Sequence, residues 1–146
     1  MRADTLLGAW HALASESPVP LAAGENIAGD AGFDAALASR AFGVVQPDIA
    51  KWGGLTRGLP VARRILAAGA RFCPHYLGGG VGLLASAHLL AAAGGGGMLE
   101  VDANENPLRS AACGALAEVR DGRARLGDEP GLGPEPDLAA LRALCR

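Results

Sequence analysis

The chain has 146 residues, of which 50% are hydrophobic and only 4% aromatic. That is enough for one compact domain burying roughly 70% of its unfolded surface, with a core of Ala, Leu and Val. Thirteen basic residues stand against fifteen acidic ones, and the arginines are scattered rather than gathered into a stripe, which argues against a nucleic-acid partner. Cys73, Cys113 and Cys145 form no C-x-x-C pair and the N-terminus has no sustained apolar segment, so neither a disulfide framework, a zinc site nor a secretory signal is expected, and the expected setting is cytoplasmic.

In chain order, the larger apolar residues Leu6, Leu7, Trp10 and Leu13 have helical spacing, and Pro18 and Pro20 end that helix. "VPLAAG" (Val19 to Gly24) reads as a short buried strand, followed by a helix from Ala31 to Ala41 with Asp30 as its cap. "GVVQPD" is a second strand. Thr56 is expected to cap a helix running to about Ala68, with Pro60 in its first turn and Gly69 as its stop. "ARFCPH" is a third strand, and Gly82 to Ala93 the next helix. The glycines at 94 to 97 end that helix, and "MLEVD" (Met98 to Asp102) reads as a fourth strand. The apolar run "VGLLASAHLLAAAGGGGML" is nearly long enough to cross a bilayer, but His88 and four consecutive glycines argue against a membrane span. Strands alternating with helices of this length predict an α/β fold built from parallel βαβ units. Beyond Pro107 the expectation changes to a hairpin turning at Asp121-Gly122, a Pro/Gly loop, and a short closing helix capped by Asp137. The expected division is residues 1–110 for the βα part and 111–146 for a hairpin, loop and helix packed on it.

Each predicted strand ends in, or is soon followed by, a polar residue suited to chemistry: Glu25, Asp48, His75 and Glu100. They are separated by 23, 27 and 25 residues, one βα unit each time. In parallel α/β folds the C-terminal strand ends share one rim, where active sites lie. Taken singly, each is an ordinary strand-end polar group; their common phase is the signal. Asp48 and His75, on neighbouring strands, are expected to hydrogen-bond, which would fix the imidazole tautomer and strengthen it as a general base. Glu100 is placed to donate a hydrogen bond if a dry site penalises its charge. Glu25 is free to hold a cation, and magnesium prefers such hard oxygen ligands.

The segments "PLAAGEN", "QPDIAKWGGLT", "CPHYLGGGVGLLASAHLLAA" and "MLEVD", in this order, resemble the C-terminal half of the enolase superfamily barrel in its mandelate racemase branch. The resemblance implies a half (β/α) barrel holding the strands numbered five to eight. It assigns Glu25 as one of three Mg2+ ligands, Asp48 and His75 as the base dyad, and Glu100 as electrophile. Superfamily sites pair a Lys or His base with Mg2+ that stabilises an ene-diolate. Relatives with a lysine base carry it where this chain has Asp48, so the resemblance favours racemase or acid-sugar dehydratase chemistry on a small carboxylate substrate. Lys51, the single lysine, is expected to touch substrate or structure its loop, and Asn26 and Tyr76 adjoin the site as candidate substrate contacts. A full (β/α) barrel takes about 250 residues, and the family's K-x-K motif and two further metal carboxylates have no counterpart in this sequence. The chain alone is therefore expected to need a partner, as a homo-oligomer or with a complementing N-terminal half, or to be a catalytically silent fragment. A third reading, dinucleotide binding, rests on "GVGLLA" (Gly80 to Ala85), which fits G-x-G-x-x-G/A but does not directly follow its strand.

Overall fold

The computed structural model describes residues 3–145. Helix α1 (Ala3–Glu16) leads into strand β1 (Ala22–Ala23), then α2 (Asp30–Ser39), β2 (Val44–Val45), α3 (Gly54–Ala67), β3 (Arg71–Phe72) and α4 (Gly80–Ala93). The strands form one parallel sheet in chain order, pairing Ala22 with Val44 and Val44 with Arg71. This is the expected α/β alternation. Inter-strand bonding runs past the two-residue strands: Gln46 N donates to Ala23 O, Cys73 N to Val45 O, and His75 N to Pro47 O at 3.1 Å. That last bond carries the register of the sheet out to the rim.

Strand alternation sorts the side chains. Val45 and Phe72 are buried in a cluster with Phe33, Val61, Ile65 and Leu89 from α2, α3 and α4, so they face the helices. Gln46, Asp48, Cys73 and His75 consequently take the opposite face. A second cluster, Leu83, Leu84, Ala87, Cys113 and Leu116, joins α4 to the segment after the short helix α5 (Pro107–Ser110). Partly buried Leu126 and Leu132 add the Pro/Gly loop to it. The Asp121-Gly122 turn forms with both residues at positive φ, 51° and 70°, and one antiparallel bridge between Arg120 and Arg123. Asp137 caps α6 (Leu138–Leu144), accepting from Ala139 N and Ala140 N.

Four details differ from expectation. Met98 to Asp102 forms no strand, so the sheet has three strands rather than four. The edge of β3 facing that segment is short of donors: Cys73 and His75 spend their N–H groups on β2, and Pro74 between them has none. Met98 N donates instead to Cys73 Sγ at 3.3 Å. Asp30 does not cap α2; Gly29 holds that position without a side-chain bond. The Asp30 carboxylate reaches across to Arg64 at 2.8 Å and Arg57 at 3.4 Å, tying α2 to α3. Helix α3 starts at Gly54 behind Gly53 (φ 84°), so Thr56 lies inside the helix and Pro60 beyond its first turn. Pro60 has no N–H for the carbonyl of Thr56, a loss the buried face of α3 offsets.

Candidate active site

The rim is assembled by β1, β2, β3 and the segment after α4. Gly24 does the first part of the positioning. Alternation from Ala23 would send Glu25 to the same side as Ala23, but Gly24 has φ 136° and lies so close to β2 that a Cβ would come within 2.8 Å of Gln46 N. That turn breaks the alternation ahead of Glu25, and only glycine adopts it without strain. On β2, Asp48 is 6% exposed and its Oδ1 accepts from Ala50 N at 2.8 Å and Lys51 N at 3.3 Å. A carboxylate held by two backbone amides has one oxygen left to aim.

That oxygen, Asp48 Oδ2, lies 3.2 Å from His75 Nδ1, and His75 is 8% exposed. The other ring nitrogen, Nε2, lies 2.8 Å from Glu25 Oε2. Both ring nitrogens thus face a carboxylate oxygen within hydrogen-bond reach. Lys51 closes the group: its Nζ is 3.0 Å from Asn26 Oδ1, 3.5 Å from Glu25 Oε2 and 3.9 Å from Asp48 Oδ2. Asn26 Nδ2 also donates to Glu25 Oε1 at 2.9 Å. Glu100 joins from the segment after α4, accepting from Gln46 Nε2 at 3.4 Å. Glu25, Asn26, Gln46, His75 and Glu100 line a cavity of about 840 Å³ together with the apolar Trp10, Ile27 and Phe42. Trp10 and Phe42 meet edge to face at 5.2 Å.

The sequence matches the pattern of the family described as enolase C-terminal domain-like over residues 1–140. The chain belongs to that family. Among solved structures it is similar to a mandelate racemase/muconate lactonizing enzyme from Bordetella bronchiseptica RB50, with 60% identity and a TM-score of 0.89 over 98% of this chain and 40% of that one. Among characterised proteins it is 31% identical to a D-galactarolactone cycloisomerase of Agrobacterium fabrum, covering 92% of this chain and 38% of that protein. It is also 31% identical to an arabinonate dehydratase of Saccharolobus solfataricus, covering 83% of this chain and 32% of that protein. The chain thus spans less than half the length of these relatives, and its three-stranded sheet with flanking helices matches part of an enolase-superfamily barrel domain.

Against this enolase-like frame the expected residues can be placed one by one. Asp48, His75, Glu25, Asn26 and Lys51 come together in one hydrogen-bonded group, and Glu100 lines the same cavity as Glu25, Asn26 and His75. Tyr76 does not line the cavity. Its ring packs on Gly78 and Gly82, where a Cβ would overlap it, and it joins the apolar cluster of α4. Packing accounts for the first glycine of "GVGLLA" as well, since a Cβ on Gly80 would lie 2.7 Å from backbone atoms of Ala112, Arg109 and Cys113. Gln46 is a site residue that the strand-end pattern does not flag. Its signal is its place two positions before Asp48, and therefore on the same strand face.

Magnesium is the group the family implies, and the donor set of this chain can be tested against it. Among the described residues no group of three or more His, Cys, Asp or Glu side chains is arranged to hold a metal. Glu25 offers one carboxylate, with Oε2 already shared by an imidazole and an ammonium. An ion that demands near-octahedral oxygen coordination is not accommodated by that set alone. A second cavity of about 900 Å³ lies between α5 and α6 and holds none of these residues.

Proposed function

We propose that this chain is the C-terminal, proton-transferring part of an acid-sugar dehydratase, cycloisomerase or 2-hydroxy-acid racemase, working on a small carboxylate substrate through His75. The observation that carries the reading is the buried Asp48–His75 pair, with His75 lining a cavity that Glu100 also lines. With Asp48 accepting from Nδ1–H, the reactive nitrogen is Nε2, and its present partner Glu25 must withdraw with the proton held between them before Nε2 can remove a proton α to a carboxylate. In the opposite sense, the proton that Nε2 takes up can be delivered by the same ring to a departing β-hydroxyl. Glu100, bonded to Gln46, is the second group of the cavity that can bond to a substrate oxygen where negative charge gathers.

Relatives of this kind are longer, and the remaining machinery, including two more carboxylates for Mg2+, is proposed to come from a complementing N-terminal half. Glu25 would then supply one oxygen to the ion. A homo-oligomer is the alternative source, and sedimentation of the purified chain separates the two: a dimer supports it and a monomer at all concentrations removes it. A second reading, a catalytically silent remnant, is favoured by the engagement of Glu25 with Lys51 and His75. The test is dehydration of a panel of acid sugars, read as 2-keto acid formed, with the chain alone and with the upstream part of the Bordetella relative supplied in trans. Product that appears only with both parts supports the first reading. No product under either condition supports the remnant.

A further inference from the structure

We infer that Lys51 is the resident cation of this rim, occupying with its ammonium the oxygens that a divalent ion would otherwise draw on, so that the chain as it stands excludes such an ion from Glu25. Three oxygens from two strand ends surround Nζ: Asn26 Oδ1 at 3.0 Å, Glu25 Oε2 at 3.5 Å and Asp48 Oδ2 at 3.9 Å. The backbone fixes where this side chain starts, because Lys51 N donates to both Asp48 O and Asp48 Oδ1. The turn is therefore organised by the same carboxylate that the ammonium then approaches.

Residue type supports the assignment. Every other basic side chain of the chain, histidines aside, is an arginine, so the one lysine stands where a compact charge with three rotatable donors fits several oxygens at once, a task a planar guanidinium fork does poorly. Charge balance points the same way. Glu25 and Asp48 are both carboxylates, and the Lys51 ammonium already stands against each of them. A divalent ion added there meets oxygens that already face a cation and must displace Lys51 as well as shed water. Lys51 is thus a positioning residue, holding the two carboxylates apart and aimed. The inference does not rest on proton transfer by His75, and each can fail without the other.

The test is Mn2+ titration of the full chain followed by electron paramagnetic resonance, Mn2+ serving as an oxygen-seeking probe. Wild type is compared with Lys51→Met, Lys51→Arg and the double variant Lys51→Met/Glu25→Gln. Lys51→Met should bind Mn2+ at least about tenfold more tightly than wild type, as expected when a unit charge beside the ligands is removed. Lys51→Arg, which keeps the charge, should remain weak, and the double variant should lose the gain. Lys51 is 45% exposed, so its replacement leaves the core intact. Equal affinity in wild type and Lys51→Met, or a gain that survives Glu25→Gln, overturns the inference.

Discussion

Replacing Asp48 by Asn should invert the tautomer of His75 while leaving the surrounding loop in place. The amide oxygen of the new side chain can still accept from Ala50 N and Lys51 N, as Asp48 Oδ1 does at 2.8 and 3.3 Å. The amide nitrogen then takes the place of Oδ2, 3.2 Å from His75 Nδ1. Two N–H groups cannot face each other at that distance, so Nδ1 must give up its proton and accept. The ring proton then sits on Nε2, where Glu25 Oε2 lies 2.8 Å away to accept it. A hydrogen bond to a charged group contributes about 1.5–3 kcal/mol and a neutral one about 1 kcal/mol, so the exchange costs on the order of 1–2 kcal/mol of stability. The exposed Lys51 contact to Oδ2 adds little to this, being screened by water. The assay is the 15N spectrum of the histidine side chains, in which Nδ1 should move from an N–H resonance to an unprotonated one. In another Asp–His pair the wrong tautomer costs roughly 10⁴ in kcat, so proton transfer by a complemented assembly should fall by a comparable factor. If Nδ1 of the variant remains an N–H nitrogen, the proposed coupling of Asp48 to the ring is wrong.

Other consequences follow from the packing. Ile65 is fully buried in the cluster between sheet and helices; Ile65→Ala should cost about 2–5 kcal/mol, read as a lower urea midpoint with unchanged slope. Gly80→Ala would place a Cβ 2.7 Å from the backbone of Ala112, Arg109 and Cys113, atoms that cannot step aside, and should cost about 1–3 kcal/mol as overpacking does. Cys145 is exposed while Cys73 and Cys113 are buried, so a thiol reagent should modify one cysteine quickly in the native chain and all three after unfolding. Burial raises the Cys113 thiol above its ordinary 9.0, against a smaller lowering by Arg109. Its contribution to stability is therefore complete below pH 9.0 and lost as pH climbs through the raised folded value, visible as a falling urea midpoint on the alkaline side that Cys113→Ala lacks.

Much of the site is legible in the sequence because its chemistry sits at strand ends, and strand ends recur with the βα period. Asp48 and His75 are 27 residues apart in sequence yet 3.2 Å apart in space, as neighbouring parallel strands require. What the sequence hides depends on single backbone groups. Pro74 has no N–H to offer, and Met98 N donates to the Cys73 thiol rather than to a carbonyl of β3. The pull of Arg57 and Arg64 on Asp30 outweighs helix capping, a choice between local and cross-helix partners that spacing alone does not make. Tyr76 adjoins His75 in sequence, but alternation puts neighbours on opposite faces, and two close glycines, Gly78 and Gly82, give its ring a place to pack. Gln46 is hard to see for the complementary reason: a neutral amide attracts less notice than a charge, although its parity with Asp48 aims it at the same cavity.

The proposed chemistry stands or falls on whether Nε2 of His75 moves a proton at the α-carbon of a small carboxylate. Exchange of that proton for deuterium in D2O, followed by NMR, reads this step alone, with acid sugars mixed with this chain and the upstream part of its Bordetella relative. Exchange with wild type that vanishes in His75→Asn is the predicted result. Exchange that continues in His75→Asn, or none with the wild-type pair, contradicts it.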